Sequence, residues 1–377
     1  MTDENKPPKR ARENLSDQKD LTKLCFSNNF GGKDVRLFEV SDDILNLISC
    51  GEKICIIGED DGKDGAVLCT SDSTFSIKKV ESSNSTFLVS GSESSEFTIY
   101  SKCNDYYELT ASFPRIHRIN DLLKPTIYRG ANNDVEFPPN PDQLYKYLEL
   151  RSRISASEKE LNVALSELHV TEINGYCRIL DQITLYETYK ELIDTIIEEK
   201  WQIESIPNAL MVGERAACSG LDPVFLHHAL STLGTCVNEL WKLDSDEISK
   251  IVAHILFQER VCTKPNTLWP KEDFLFTWAS RLPGTANPSL NLLLGIAVLE
   301  ESISVDGGAY RYLPLKDLPK DAKERFQHLF TVRPSYSLEE ITPYLEDLVG
   351  KPGLPKNTTE LLLLHTRLVD GKYVRKL

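Results

Sequence analysis

The sequence predicts an α+β multidomain protein, with an N-terminal all-β, barrel-like module followed by tandem winged-helix domains. Three observations carry that prediction. Short β-branched and aromatic runs fill residues 21–128, helical periodicity takes over after a proline-rich stretch, and a helix-then-hairpin pattern recurs along the second part of the chain. With 377 residues, 41% of them hydrophobic, the chain can bury several cores. Its net charge of −14 excludes a protein that coats nucleic acid with its whole surface, so any DNA contact requires a local basic patch. Nine cysteines without a C-x-x-C pair point to a reduced compartment. The chain shows neither a signal-peptide pattern nor an apolar run near eighteen residues, so no membrane association is expected.

Residues 1–20 (MTDENKPPKRARENLSDQKD) are polar and aperiodic, the composition of a disordered tail. Within them Lys9, Arg10 and Arg12 form a short cationic cluster with the chemistry of a nuclear import signal or of a solvated tail. From 21 to 128 come VRLFEV, KICIIGE, GAVLCT, STFSIKKV, STFLVSG, EFTIYS and DYYELTAS, separated by Gly, Asp, Asn and Ser; this is an antiparallel β module. SDDILNLIS interrupts it as a short helix capped by Ser41. So many short strands leave edges, and an edge must be covered, charged or paired with a partner. The β module is therefore expected to mediate subunit assembly.

Residues 129–136 open a turn-rich linker that continues into Pro138, Pro139 and Pro141. Beyond it, Tyr186, Tyr189, Leu192, Ile193, Ile196, Ile197 and Trp201 share one helical face, as do Leu338, Ile341, Leu345 and Leu348. The stretch EKELNVALSELHVTEINGYCRIL (158–180) reads as an amphipathic helix running into a hairpin with Asn174-Gly175 at its turn. FLHHALSTLGTCVNELWKLD, LLLGIAVLEESISVDGGAYRYLPL and ELLLLHTRLVDGKYVRK repeat that shape. Ala164 precedes Leu180 by sixteen residues, Ala229 precedes Leu243 by about fourteen, and Ala297 precedes Leu313 by sixteen. A small-residue helix face covered by a two-stranded hairpin is the layout of a winged helix. Three such units are expected, at 137–219, 220–318 and 319–377, with one of the four matches, the second, only partial.

The search for catalytic chemistry is mostly negative. GEDDGKD (58–64) is one residue short of a phosphate loop and has Asp64 where Ser or Thr is required, so it reads as a β-turn. His227, His228 and His254 lack a completing ligand, and adjacent helical histidines point about 100° apart. Sequons at Asn84 and Asn357 carry meaning only in a secreted chain. With no nucleophile elbow, carboxylate pair or cofactor turn, the reading is a non-enzymatic interaction protein without cofactors.

GEDDGKDGAVLCTSDSTFSIKKV (58–80), DYYELTASFPRIHRINDLL (105–123), INGYCRILD (173–181) and DLPKDAKERFQHLFTVRPSYSLEEITPYLEDL (317–348) together resemble the Dcc-type sister chromatid cohesion proteins, in the same order along most of the chain. That resemblance implies an accessory subunit of the alternative replication factor C clamp loader, acting in the nucleus. It implies a β module that assembles with the loader's large subunit and a very small accessory subunit, and winged helices that contact DNA and the leading-strand polymerase epsilon, with PCNA as the clamp loaded. The alternative from the residues alone is a protein-only winged-helix scaffold that binds no nucleic acid.

Two sites follow as expectations. Acids and bases are interspersed from 137 to 350, a surface suited to protein, and Arg178 beside the first hairpin is the candidate polymerase contact. Residues 351–377 hold six basic against two acidic residues, a local net charge of +4. There Arg367, Lys372, Arg375 and Lys376 are the candidate contacts to single- or double-stranded DNA, set on a recognition helix at 359–369 and a wing strand KYVRKL.

Overall fold

A computed structural model describes residues 23–31, 35–58, 65–91, 96–208, 220–263, 268–284, 286–302, 305–349, 353–355 and 357–376 of the chain. Its N-terminal part contains β1 (Lys23–Phe26), β2 (Phe38–Glu39), α1 (Asp42–Ser49), β3 (Cys55–Ile57), β4 (Val67–Cys69), β5 (Thr74–Ser90) and β6 (Glu96–Ala111). Ser41 caps α1, its hydroxyl accepting from the Ile44 amide. The sheet runs β1-β6-β5-β4-β3, with β2 also on the outer edge of β6. It is an open sheet among the described residues, so they do not form the expected barrel. Nor is it wholly antiparallel, because β1 and β2 both pair with β6 in parallel.

Four of the expected short strands fuse into the two long ones, β5 and β6. The polar run Glu81–Ser85 that looks like a turn is continuous strand, carried across the hairpin by a register shift between Glu81 and Thr86. A bulge of this kind lets a strand keep its ladder while adding twist. At about 3.3 Å per residue, the hairpin reaches on the order of 50 Å. On the β5 side its base alone is thickened, since β4 pairs with β5 only at Thr74–Ser76.

The rest of the chain repeats one order of elements four times: a helix, a short strand segment, a second helical segment, and a hairpin. The first copy has α2 (His117–Leu123), the bridging residue Tyr145, α4 (Tyr147–Arg153) with α5 (Glu158–Glu167), and β7 (Val170–Ile173) with β8 (Tyr176–Ile179). A short helix, α3 (Ala131–Glu136), occupies the stretch expected to be a linker. The second has α6 (Gln182–Glu198), β9 (Ile206–Pro207), α7 (Pro223–Leu233), β10 (Gly234–Val237) and β11 (Leu240–Leu243). The third has α8 (Ser245–Thr263), β12 (Trp269–Pro270), α9 (Lys271–Ser280), β13 (Ala297–Ser302) and β14 (Val305–Tyr312). The fourth has α10 (Ala322–Val332), β15 (Ser335–Tyr336), α11 (Leu338–Ile341), α12 (Thr358–His365), β16 (Thr366–Val369) and β17 (Lys372–Arg375).

In each copy the short segment pairs with the second hairpin strand, giving the orders β10-β11-β9, β12-β14-β13 and β15-β17-β16. The first copy does the same through a single antiparallel bridge from Tyr145 to Cys177. All four sequence matches are therefore complete hairpins, the second included, and the repeat count is four rather than three. One expected correspondence fails: Ala297 lies in β13, not on a helix, so its spacing to Leu313 is coincidental.

The local chemistry explains why the units recur. Asn174-Gly175, Asn238-Glu239 and Asp370-Gly371 all take positive φ, the two-residue turn whose twist matches a hairpin. The chain leaving the first, second and third hairpins meets an aspartate that caps the next helix: Asp181 accepts from the Thr184 amide, Asp244 from Glu247, and Asp321 from Glu324. Behind the hairpins, Ala164 and Ala229 are 2% and 0% exposed, which lets neighbouring helices approach closely. Three apolar cores result among the described residues. One joins α2, α4, α5 and β8, so the helix at 117–123, placed with the β module by sequence, packs with the first unit instead. The largest runs from Tyr128 through α6, α7, α8 and α9 to Tyr310, and the third fills the C-terminal unit.

A polar joint fixes the sheet to this array. Thr74 donates to Glu160 Oε2 at 2.6 Å and accepts from the Ser157 amide at 2.9 Å. The same Glu160 closes the capping box of α5. Lys159 adds its amide to the Ser71 carbonyl and its ammonium to Asp72.

Candidate interaction surfaces

Arg178 is not a surface residue. It sits on β8 at 4% exposure, where its guanidinium forms a two-point ion pair with Asp134 of α3. Its Nε donates to the Thr126 carbonyl at 2.7 Å, another nitrogen reaches the Ile127 carbonyl, and the group lies over the Tyr128 ring at 4.9 Å. A cation so enclosed is stable because each of its three nitrogens is engaged. Arg178 thus ties α3 and the preceding turn to the first hairpin, and the structure corrects its expected place at a polymerase-facing surface. The joint continues through Asp222, which accepts from the Tyr128 hydroxyl and the Ala131 amide, each at 2.7 Å, and caps α7 through the Val224 amide. Burial first, then the Asp222 carboxylate, push the Tyr128 phenol well above its ordinary range.

The C-terminal cations are exposed, but they do not form one array. The β16–β17 register pairs Arg367 with Val374 and Val369 with Lys372, so Arg367 and Lys372 lie diagonally on one face. Arg375 pairs with the buried Thr366 and belongs to the opposite face. Lys376 turns back, donating from Nζ to the Leu363 carbonyl in the last turn of α12. There it satisfies an end carbonyl and complements the negative end of the helix.

The sheet presents a different kind of surface. From Lys78 to Ser90, β5 has no second strand beside it among the described residues. Near this distal end, Leu24, Phe26, Phe30, Phe87, Val89 and Tyr100 are 40–61% exposed. An apolar sheet end with an open edge is a template for strand addition.

The three histidines singled out in the sequence go to separate partners. His228 pairs with His169 of the first unit at 3.2 Å, His254 with the Tyr312 hydroxyl at 3.1 Å, and His227 with Ser231. The described residues hold no group of three or more His, Cys, Asp or Glu able to bind a metal. Most of the GEDDGKD stretch, and Lys9, Arg10 and Arg12, lie outside the described residues. The Thr74–Glu160 and Tyr128–Asp222 joints were missed in the sequence. Only S-x-x-E at 157–160 signalled either, and it reads as an ordinary capping box.

The fold defines a modular α+β protein, an open-edged sheet docked on four repeated helix-hairpin units. The chain belongs to the Dcc1 family: the family's sequence model, described as sister chromatid cohesion protein Dcc1, matches residues 35–345. It is similar to sister chromatid cohesion protein DCC1 of Danio rerio, at 28% identity over 91% of this chain and 88% of that protein. The Homo sapiens protein of the same name is also 28% identical, over 90% and 87%. A probable DCC1 of Dictyostelium discoideum is 27% identical over 93% of this chain and 94% of its own length. Membership places the chain among sister chromatid cohesion factors.

Proposed function

We propose that the chain is a non-catalytic adaptor subunit of an alternative replication factor C clamp loader, working in the nucleus. In this reading it links the loader to DNA and to the leading-strand polymerase epsilon during PCNA loading. The observation that carries the proposal is the open edge of β5 with its exposed apolar end. A strand edge and an apolar sheet face need covering, and strands from the large and the very small accessory subunits of the loader are the proposed cover. Family membership in the cohesion factors supports the process.

The four repeated units have the element order of winged helices, and we read them as such. Set in series, they hold two large partners together and raise effective concentration without any one tight contact. With Arg178 enclosed, the polymerase-facing role of the first unit rests on the unit's other surface residues. The DNA contact is assigned to the last hairpin, where Arg367 and Lys372 share a face and Arg375 and Lys376 lie nearby; contacts of this type are to phosphate, and binding falls steeply with salt. Co-expression tests the central part: the chain with the two accessory subunits should co-purify stoichiometrically, whereas independent elution of all three would reject it. A salt-sensitive shift of duplex or single-stranded DNA by the chain separates the adaptor from a protein-only scaffold.

A further inference from the structure

The outward face of α12 has the wrong chemistry for a nucleic-acid groove. Leu361 and Leu362 enter the core, and a 100° step per residue turns Glu360, Leu363 and Leu364 outward. Leu363 and Leu364 are 53% and 59% exposed, and Leu368 and Val369 on the next strand are 59% and 42% exposed. In a winged-helix DNA reader this helix supplies the donors and acceptors that meet base edges. Here it supplies leucines and an acid. Arg375 shares the hairpin face of Leu368, and Lys376 reaches the Leu363 carbonyl, so cations flank the leucines. Arg367, Lys372 and Arg375 are exposed and form no ion pair among the described residues, while the whole chain carries −14.

We propose that this surface docks an acidic amphipathic helix of a partner protein. The partner's apolar stripe would cover Leu363, Leu364 and Leu368, and its flanking carboxylates would meet Arg375, on the Leu368 face of the hairpin, and Lys376, whose ammonium reaches the Leu363 carbonyl. An acidic helix is attracted here and repelled by the chain's net charge elsewhere, so the charge pattern selects both the partner and the place.

The test uses the full chain and a fluorescein-labelled 20-residue peptide with leucines at helical spacing and glutamates on both flanks. A matched peptide with lysine flanks and a 20-base-pair duplex serve as comparisons. The glutamate peptide should bind at least tenfold tighter than the lysine peptide, weaken with salt, and slow amide exchange within residues 358–376. The double change Leu363→Gln and Leu364→Gln, which removes the apolar contact without adding charge, should cut peptide binding at least tenfold while leaving duplex binding and thermal unfolding unchanged. If that variant proves misfolded, Leu368→Gln on the hairpin carries the same expectation. Equal binding of the two peptides, protection outside 358–376, or a folded leucine variant that loses duplex binding but keeps the peptide would overturn the proposal. The duplex arm makes failure here distinguishable from failure of the DNA contact assigned to the hairpin.

Discussion

Replacing Arg178 by alanine should unlock the first helix-hairpin unit. The change removes a two-point ion pair to Asp134 and the donors to the Thr126 and Ile127 carbonyls. Breaking a buried pair from one side typically costs about 3–5 kcal/mol, because the remaining charge stays enclosed. The Asp134 side chain is 21% exposed and regains some water, so the cost belongs near the lower end, about 3 kcal/mol. At about 1.4 kcal/mol per tenfold, opening of the unit becomes roughly a hundredfold more frequent. A repeat array unfolds in parts, so the readout is local: amides in 117–179 should exchange roughly a hundredfold faster, with those of the C-terminal unit unchanged. Asp134→Ala should cost at least as much as Arg178→Ala, because it strands a guanidinium that is 5% exposed, and the double variant should cost less than the sum of the two single changes, because the two residues share one interaction. A loss below about 1 kcal/mol on removing Arg178, with partner binding abolished, would refute the structural role and restore a surface one.

Three further outcomes are expected. Ala164→Phe and Ala229→Phe should each destabilise their own unit by about 1–3 kcal/mol through overpacking, visible as lower local protection, while sheet assembly persists. Burial first, then the neighbouring histidines, push His228 down to about 4, and burial followed by Lys316 pushes His254 down to about 4. The unfolded chain then binds more protons in that range, so their contribution to stability is full above about pH 6.5 and lost as pH falls toward 4; His228→Gln with His254→Gln should flatten that slope in denaturation curves. Changing Arg367 and Lys372 together to Glu should weaken DNA binding and flatten its salt dependence without affecting folding, and an unchanged salt slope would move the contact elsewhere.

The hairpins were legible because their signals are local: Asn174-Gly175 and Asp370-Gly371 announce a turn, and alternating apolar residues announce the strands. The number of units was harder to read, because the short strands at Ile206–Pro207, Trp269–Pro270 and Ser335–Tyr336 are two residues each. No periodicity exists in two residues; only the pairing with a distant hairpin makes them strands. The long β5 was divided at Glu81–Ser85 because polar residues on a solvent-facing strand look like a turn. Arg178 was misplaced for a related reason. A charged residue beside a hairpin is usually solvated, and its partner Asp134 lies 44 residues earlier, in a stretch with the composition of a linker. The open sheet follows from the same limit, since strand propensity says nothing about whether edges close on each other or on a partner.

The most direct test of the adaptor account places charge on the open end of the sheet. Phe87 and Val89 are 43% and 46% exposed on β5, outside all three apolar cores, so Phe87→Asp with Val89→Asp should leave the helix-hairpin units folded. Affinity purification of the tagged full chain, co-expressed with the large and very small loader subunits, reads the consequence. The account predicts that the wild-type chain retains both subunits and the double variant, still folded by amide exchange across 117–375, loses both. Undiminished recovery of both subunits with the folded variant would contradict it.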